Sequence, residues 1–157
     1  MEIWLLENNL DIVESLQTVI NQLNSTASIL HLSNVAGLVE KIHKSKKAPQ
    51  CLLANQMVSI NMEPDPLKPM PLEKYHQEGE WHYGGILAAR LFRSRWSIAG
   101  EIVVYNTVDS ISKLKSYGLP NYSCLIFSKV MNSKGQIDMR FVNKICGYVQ
   151  DLSWLNA

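Results

Sequence analysis

Polar residues capable of joint chemistry stand at the ends of short apolar runs. Glu7 and Asn8 follow Ile3-Trp4-Leu5-Leu6, Asn55 follows Cys51-Leu52-Leu53-Ala54, Asn106 and Thr107 follow Ile102-Val103-Val104-Tyr105, and Lys129 comes just after Cys124-Leu125-Ile126-Phe127. A carboxylate with its neighbour, a central acceptor, a hydroxyl and a lysine are the parts of a site for a divalent ion and a phosphoryl group. Hard oxygen ligands would serve the ion, and the lysine would serve the phosphate oxygens. These residues are far apart in the chain, so only a parallel sheet could gather them, because its strand ends emerge on one edge where ligands collect.

The pattern between these residues fits such a sheet. Pro49-Gln50-Cys51-Leu52-Leu53-Ala54-Asn55 has almost no polarity at its centre and is too short for a lone helix, so it reads as a strand buried on both faces. Ile3 to Leu6, Ser28 to Leu32, Glu101 to Tyr105 and Ser123 to Phe127 read as the other strands. Between them Ile12, Leu16, Val19, Ile20 and Leu23, then Val35, Leu38, Val39 and Ile42, recur at helical spacing. Gly84-Gly85 opens a third helix with Ile86, Leu87, Leu91 and Phe92 on one side and Arg90, Arg93 and Arg95 on the other. A short helix around Ile111, Leu114 and Tyr117 stops at Gly118 and Pro120, and a last helix runs from Asp138 to about Leu152, leaving 153–157 as a short tail. Alternating strands and helices predict an α/β domain, a doubly wound five-stranded parallel sheet. The proline-rich stretch from Gln56 to Tyr83 is an insertion after the third strand, without long apolar periodicity.

With 157 residues the chain suits a single domain, 1–157, able to bury its own core. Fifteen basic against fourteen acidic side chains give a formal charge of +1, which argues against a dedicated nucleic-acid binder. Cys51, Cys124 and Cys146 lie in apolar or periodic segments without framework spacing, as reduced core thiols of a cytoplasmic protein do. No apolar run is long enough to span a bilayer, and Met1-Glu2-Ile3-Trp4 begins as a strand, so neither membrane insertion nor export is expected. His76, His82, Glu78 and Glu80 match no zinc spacing and are read as a polar loop, so no metal or cofactor is expected. No nucleophile with its base and no glycine-rich phosphate loop appears, and an enzyme is not expected.

In order and spacing these segments resemble the receiver domain of response regulators, a flavodoxin-like (βα)5 fold. Ile3-Trp4-Leu5-Leu6-Glu7-Asn8-Asn9 resembles the family's first strand and acidic pair. Pro49 to Asn55 resembles the third strand, Gly84-Gly85-Ile86-Leu87-Ala88-Ala89-Arg90-Leu91 the start of the third helix, Val103-Val104-Tyr105-Asn106-Thr107 the fourth strand with its switch hydroxyl, and Ile126-Phe127-Ser128-Lys129 the fifth strand with its lysine. The resemblance implies a phospho-acceptor aspartate where this chain has Asn55, and an amide cannot form the acyl phosphate as a carboxylate does. Asn8 replaces half of the acidic pair, leaving Glu7 as the one anionic ligand, and Val130 stands where a proline commonly follows the lysine.

The expectation is therefore a degenerate pseudo-receiver, a phosphorylation-independent signalling or regulatory module that binds another protein. Glu7, Asn8, Asn55, Asn106, Thr107 and Lys129 would form the altered pocket, with Lys129 free to pair with Glu7. Trp81, Tyr83, Tyr117 and Trp154 are candidate lid or partner contacts. By resemblance, partner or homodimer contacts would fall near Leu114 to Tyr122 and Asp138 to Leu152, on the fourth helix, fifth strand and fifth helix. One alternative is an active phospho-accepting or small-ligand domain using another residue such as Asp65. Another is a transcriptional regulator contacting DNA through the basic face of Arg90 to Arg95 or the basic turn Lys44-Ser45-Lys46-Lys47.

Overall fold

The structure, a computed structural model, describes residues 1–58, 60, 84–107, 123–127, 134 and 136–155. Its strands are β1 (Glu2–Leu6), β2 (Ser28–Leu32), β3 (Cys51–Asn55), β4 (Glu101–Thr107) and β5 (Ser123–Phe127), and its helices α1 (Leu10–Leu23), α2 (Val35–Lys44), α3 (Gly84–Arg95) and α4 (Met139–Leu155). All pairings are parallel, in the order β2-β1-β3-β4-β5. β3 is central, as its unbroken apolar run predicts. The short helix expected around Ile111 to Tyr117 lies outside the described residues.

Because successive strand side chains point to opposite faces, each strand feeds two cores. On one face Trp4, Leu6, Leu52, Ala54, Ile102 and Val104 pack against α2 and α3. On the other, Ile3, Leu5, Leu53, Val103 and Tyr105 meet Ile12, Leu16 and Ile20 of α1 and Phe141, Val142 and Ile145 of α4. Each large aliphatic side chain enclosed this way is worth about 1.5–3 kcal/mol. Cys51 and Cys146 are buried free thiols within the second core.

Local chemistry sets the helix starts. Asn9 caps α1 by accepting from the Asp11 amide at 3.0 Å, Asn34 caps α2 by accepting from the Gly37 amide at 2.8 Å, and Asp138 accepts from the Arg140 amide at 2.9 Å ahead of α4. Trp96 turns inward against Trp4 and Phe92, with ring centroids 5.8 and 5.1 Å away. Its neighbour Arg93 is committed to the turn into β4, donating to the carbonyls of Trp96, Ala99 and Gly100. Gly100 itself sits at φ 77°, a conformation that favours glycine.

Two boundaries differ from expectation. Gln56, Val58 and Ile60, expected at the start of the insertion loop, are fully buried, and the Ile60 carbonyl accepts from the Ala36 amide at 3.1 Å. The apolar alternation at 58 and 60 anchors the segment in the first core before the prolines begin. The last helix continues to Leu155, so Trp154 belongs to α4 and not to a tail. Among the described residues no helix is long and apolar enough to cross a membrane.

Candidate functional site

Glu7 follows β1 at the carboxyl edge of the sheet and is completely enclosed, at 0% exposure. A buried carboxylate must be stabilised by donors or a cation, and here the donors come from three strand ends. Oε1 accepts from the backbone amides of Asn8 at 2.9 Å and Asn9 at 3.0 Å. Asn55, the last residue of β3, places its side-chain amide nitrogen 3.1 Å from Oε1 and 3.0 Å from Oε2. Tyr105 of β4 donates its hydroxyl to Oε2 at 2.5 Å.

The strand period explains the convergence. Ile3 and Leu5 of β1, Cys51 and Leu53 of β3, and Val103 and Tyr105 of β4 face one side of the sheet, toward α1 and α4. Glu7 and Asn55 continue that alternation by one step, and Asn55 is in register with Tyr105. The Asn55 side-chain Oδ1 accepts from the Met57 amide at 2.9 Å, which fixes its NH2 toward Glu7. Asn55 therefore both caps a turn and belongs to the pocket.

Two further residues brace the edge. His31 of β2 sets Nε2 2.7 Å from the Glu7 backbone carbonyl, which requires a proton on that nitrogen. Gln56 is fully buried; its Oε1 accepts from the Ile86 amide at 3.0 Å and its carbonyl from the Gly85 amide at 3.3 Å, holding the start of α3. A Cβ at Gly85 would lie 2.7 Å from the Gln56 Cα and 2.8 Å from the Asn55 carbonyl oxygen, so only glycine lets the helix start this close to β3.

Of the expected pocket residues, Glu7 and Asn55 meet. Asn8 contributes its backbone while the residue is exposed. Asn106 and Thr107 close β4, and a β4 hydroxyl that reaches Glu7 is that of Tyr105, which the expected pocket did not include. Lys129, Trp81, Tyr83 and Tyr117 lie outside the described residues, and α4 carries Trp154. Tyr105, His31 and Gln56 were missed. A large aromatic inside a strand reads as core, and only its even spacing with the strand end hinted that its hydroxyl would reach Glu7.

The pocket does not fit a divalent ion. Among the described residues its carboxylate is that of Glu7, whose two oxygens are engaged by N–H and O–H donors, whereas Mg²⁺ needs hard oxygens free to coordinate. Among the described residues no group of three His, Cys, Asp or Glu side chains is placed to hold a metal.

Burial, then the adjacent Glu7 charge and the hydrogen bond to it, push the Tyr105 hydroxyl well above its ordinary pKa. A value raised in the folded state gives stability that is whole below the unfolded pKa of about 10 and is lost as pH climbs toward the folded value. Tyr105→Phe should cost about 1–2 kcal/mol near pH 8. The gap between wild type and variant in urea unfolding should then narrow by about 1.4 kcal/mol near pH 11. Burial also raises Cys51, with the Glu101 charge adding to it, and burial raises Cys146 to about 11. Both proteins share that alkaline loss, so it cancels in the difference. A gap constant with pH would contradict the Tyr105–Glu7 bond.

Comparison with solved structures adds the fold's relatives. NtrX from Brucella abortus superposes with a TM-score of 0.60 at 8% identity, over 99% of this chain and 28% of that one. The signal receiver domain of a protein described as a Luxo repressor, from Vibrio parahaemolyticus, superposes with a TM-score of 0.52 at 13% identity, over 98% and 95% of the two chains. The fold is that of a receiver domain. No protein-family model matches the sequence. No curated protein matches it either. The chain thus spans little more than a quarter of the NtrX structure, and its receiver fold carries a pocket closed by an asparagine and a tyrosine.

Proposed function

We propose that this receiver-type domain is a phosphorylation-independent signalling or regulatory module, a pseudo-receiver that acts by binding another protein and not as an enzyme. One observation carries the reading: an asparagine ends β3, and it and the Tyr105 hydroxyl occupy both oxygens of Glu7. The amide offers no carboxylate to phosphorylate, and the remaining acid is already satisfied from within. Partner contacts are assigned to the face that includes α4, where Met139 is 55% exposed, and a homodimer through that face belongs to the same proposal.

Incubation with acetyl phosphate and Mg²⁺ followed by intact-mass measurement should leave the protein unmodified. A stoichiometric phosphoryl adduct would overturn the proposal. Its loss in Asp65→Asn would identify the residue that had taken over as acceptor.

A further inference from the structure

α2 and α3 lie side by side on one sheet face and enclose between their outer surfaces a groove of about 250 Å³, lined by Val39, Ile42, His43, Leu91, Ser94 and Arg95. Its floor is aliphatic. Its lip is cationic, because both helices carry basic residues in their last turns, Lys41, His43 and Lys44 on α2 and Arg93 and Arg95 on α3. The one acid on either helix, Glu40, is already paired with Lys44 at the surface. Lys41 lies over the Trp4 ring and Arg93 is held by turn carbonyls. His43 and Arg95 are exposed at the groove, Arg95 with its guanidinium over the Trp96 ring at 5.8 Å from the centroid and its outer edge open to solvent, and Lys46 and Lys47 are exposed just beyond α2.

We propose that this groove docks an acidic segment of a partner protein, whose aliphatic side chains rest on Val39, Ile42 and Leu91 while its carboxylates meet His43 and Arg95. Charge complementarity selects the sign of the partner, and the apolar floor selects its class. A nucleic-acid strand would need a stacking platform beside the bases, and Trp96 is turned inward against Trp4 and Phe92. The groove lies toward the helix ends that return to the amino edge of the sheet, away from Glu7, so this inference stands whether or not the pocket accepts phosphate.

The test uses a fluorescent amphipathic peptide of roughly five helical turns, with leucines at i, i+4 and i+7 and glutamates elsewhere. Anisotropy should show it binding the full chain. His43→Glu with Arg95→Glu should weaken it about tenfold or more, and Ser94→Trp, which fills the groove, should do the same. These positions are exposed, and urea unfolding would confirm that the variants remain folded. Peptides with glutamine for leucine or lysine for glutamate should not bind. The proposal fails if the acidic peptide does not bind, if binding survives both variants, or if the glutamine peptide binds equally. It also fails if a DNA duplex binds more tightly and loses that binding on charge reversal, or if Ser94→Trp abolishes self-association in sedimentation. Tighter binding by a synthetic 61–83 peptide would overturn it too, by making the chain's own segment the occupant.

Discussion

Asn55→Asp should destabilise the domain by about 3 kcal/mol at pH 7 while sparing it in acid. The substitution keeps shape and volume but sets a second carboxylate where the amide now donates to Glu7 at 3.0–3.1 Å. Two carboxylates that close cannot both ionise cheaply, and the upper pKa of the pair would rise by roughly two units at about 1.4 kcal/mol each. Raised values act as for Tyr105: the variant keeps its stability below the unfolded carboxylate pKa of about 4 and loses it as pH climbs through the raised value. Urea unfolding at pH 7 and near pH 4 should show the deficit against wild type shrinking in acid. An equal deficit at both would mean that Asn55 does not face Glu7.

Glu7→Ala should cost about 3–5 kcal/mol, the penalty of leaving buried donors without an acceptor. The Tyr105 hydroxyl, the Asn55 NH2 and two backbone amides all converge on that carboxylate. Glu7→Gln keeps one acceptor oxygen but presents its own NH2 to donors, so an intermediate loss is expected. Denaturant midpoints for the two variants would measure this. A loss under about 1 kcal/mol for alanine would show that water replaces the carboxylate easily, and that the pocket is open.

Much of this arrangement was legible in the chain. The run Cys51 to Ala54 is apolar on both faces and could only be a central strand; Asn55 at its end, like Glu7 after β1, had to reach the carboxyl edge. Tyr105 was harder to read. A phenol within a strand is indistinguishable from packing until the register with Asn55 is known, and the resemblance directed attention to the strand's last residues. Val58 and Ile60 were hidden for another reason. Their alternation spans only positions 58 and 60, too short to mark an element beside the prolines that follow. Asn9 is the opposite case, a polar residue before a periodic run, whose capping role follows from local chemistry alone.

The phenol–carboxylate bond between β4 and β1 also constrains how this domain can change over generations. An asparagine codon is a single base from an aspartate codon, so an acidic strand end is always within mutational reach. With Glu7 held in place by Tyr105, an aspartate arriving alone at position 55 would face that carboxylate and the domain would be folded less securely. The Glu7 carboxylate thus acts as a ratchet, and an acidic residue at position 55 would be tolerated only once Glu7 had changed.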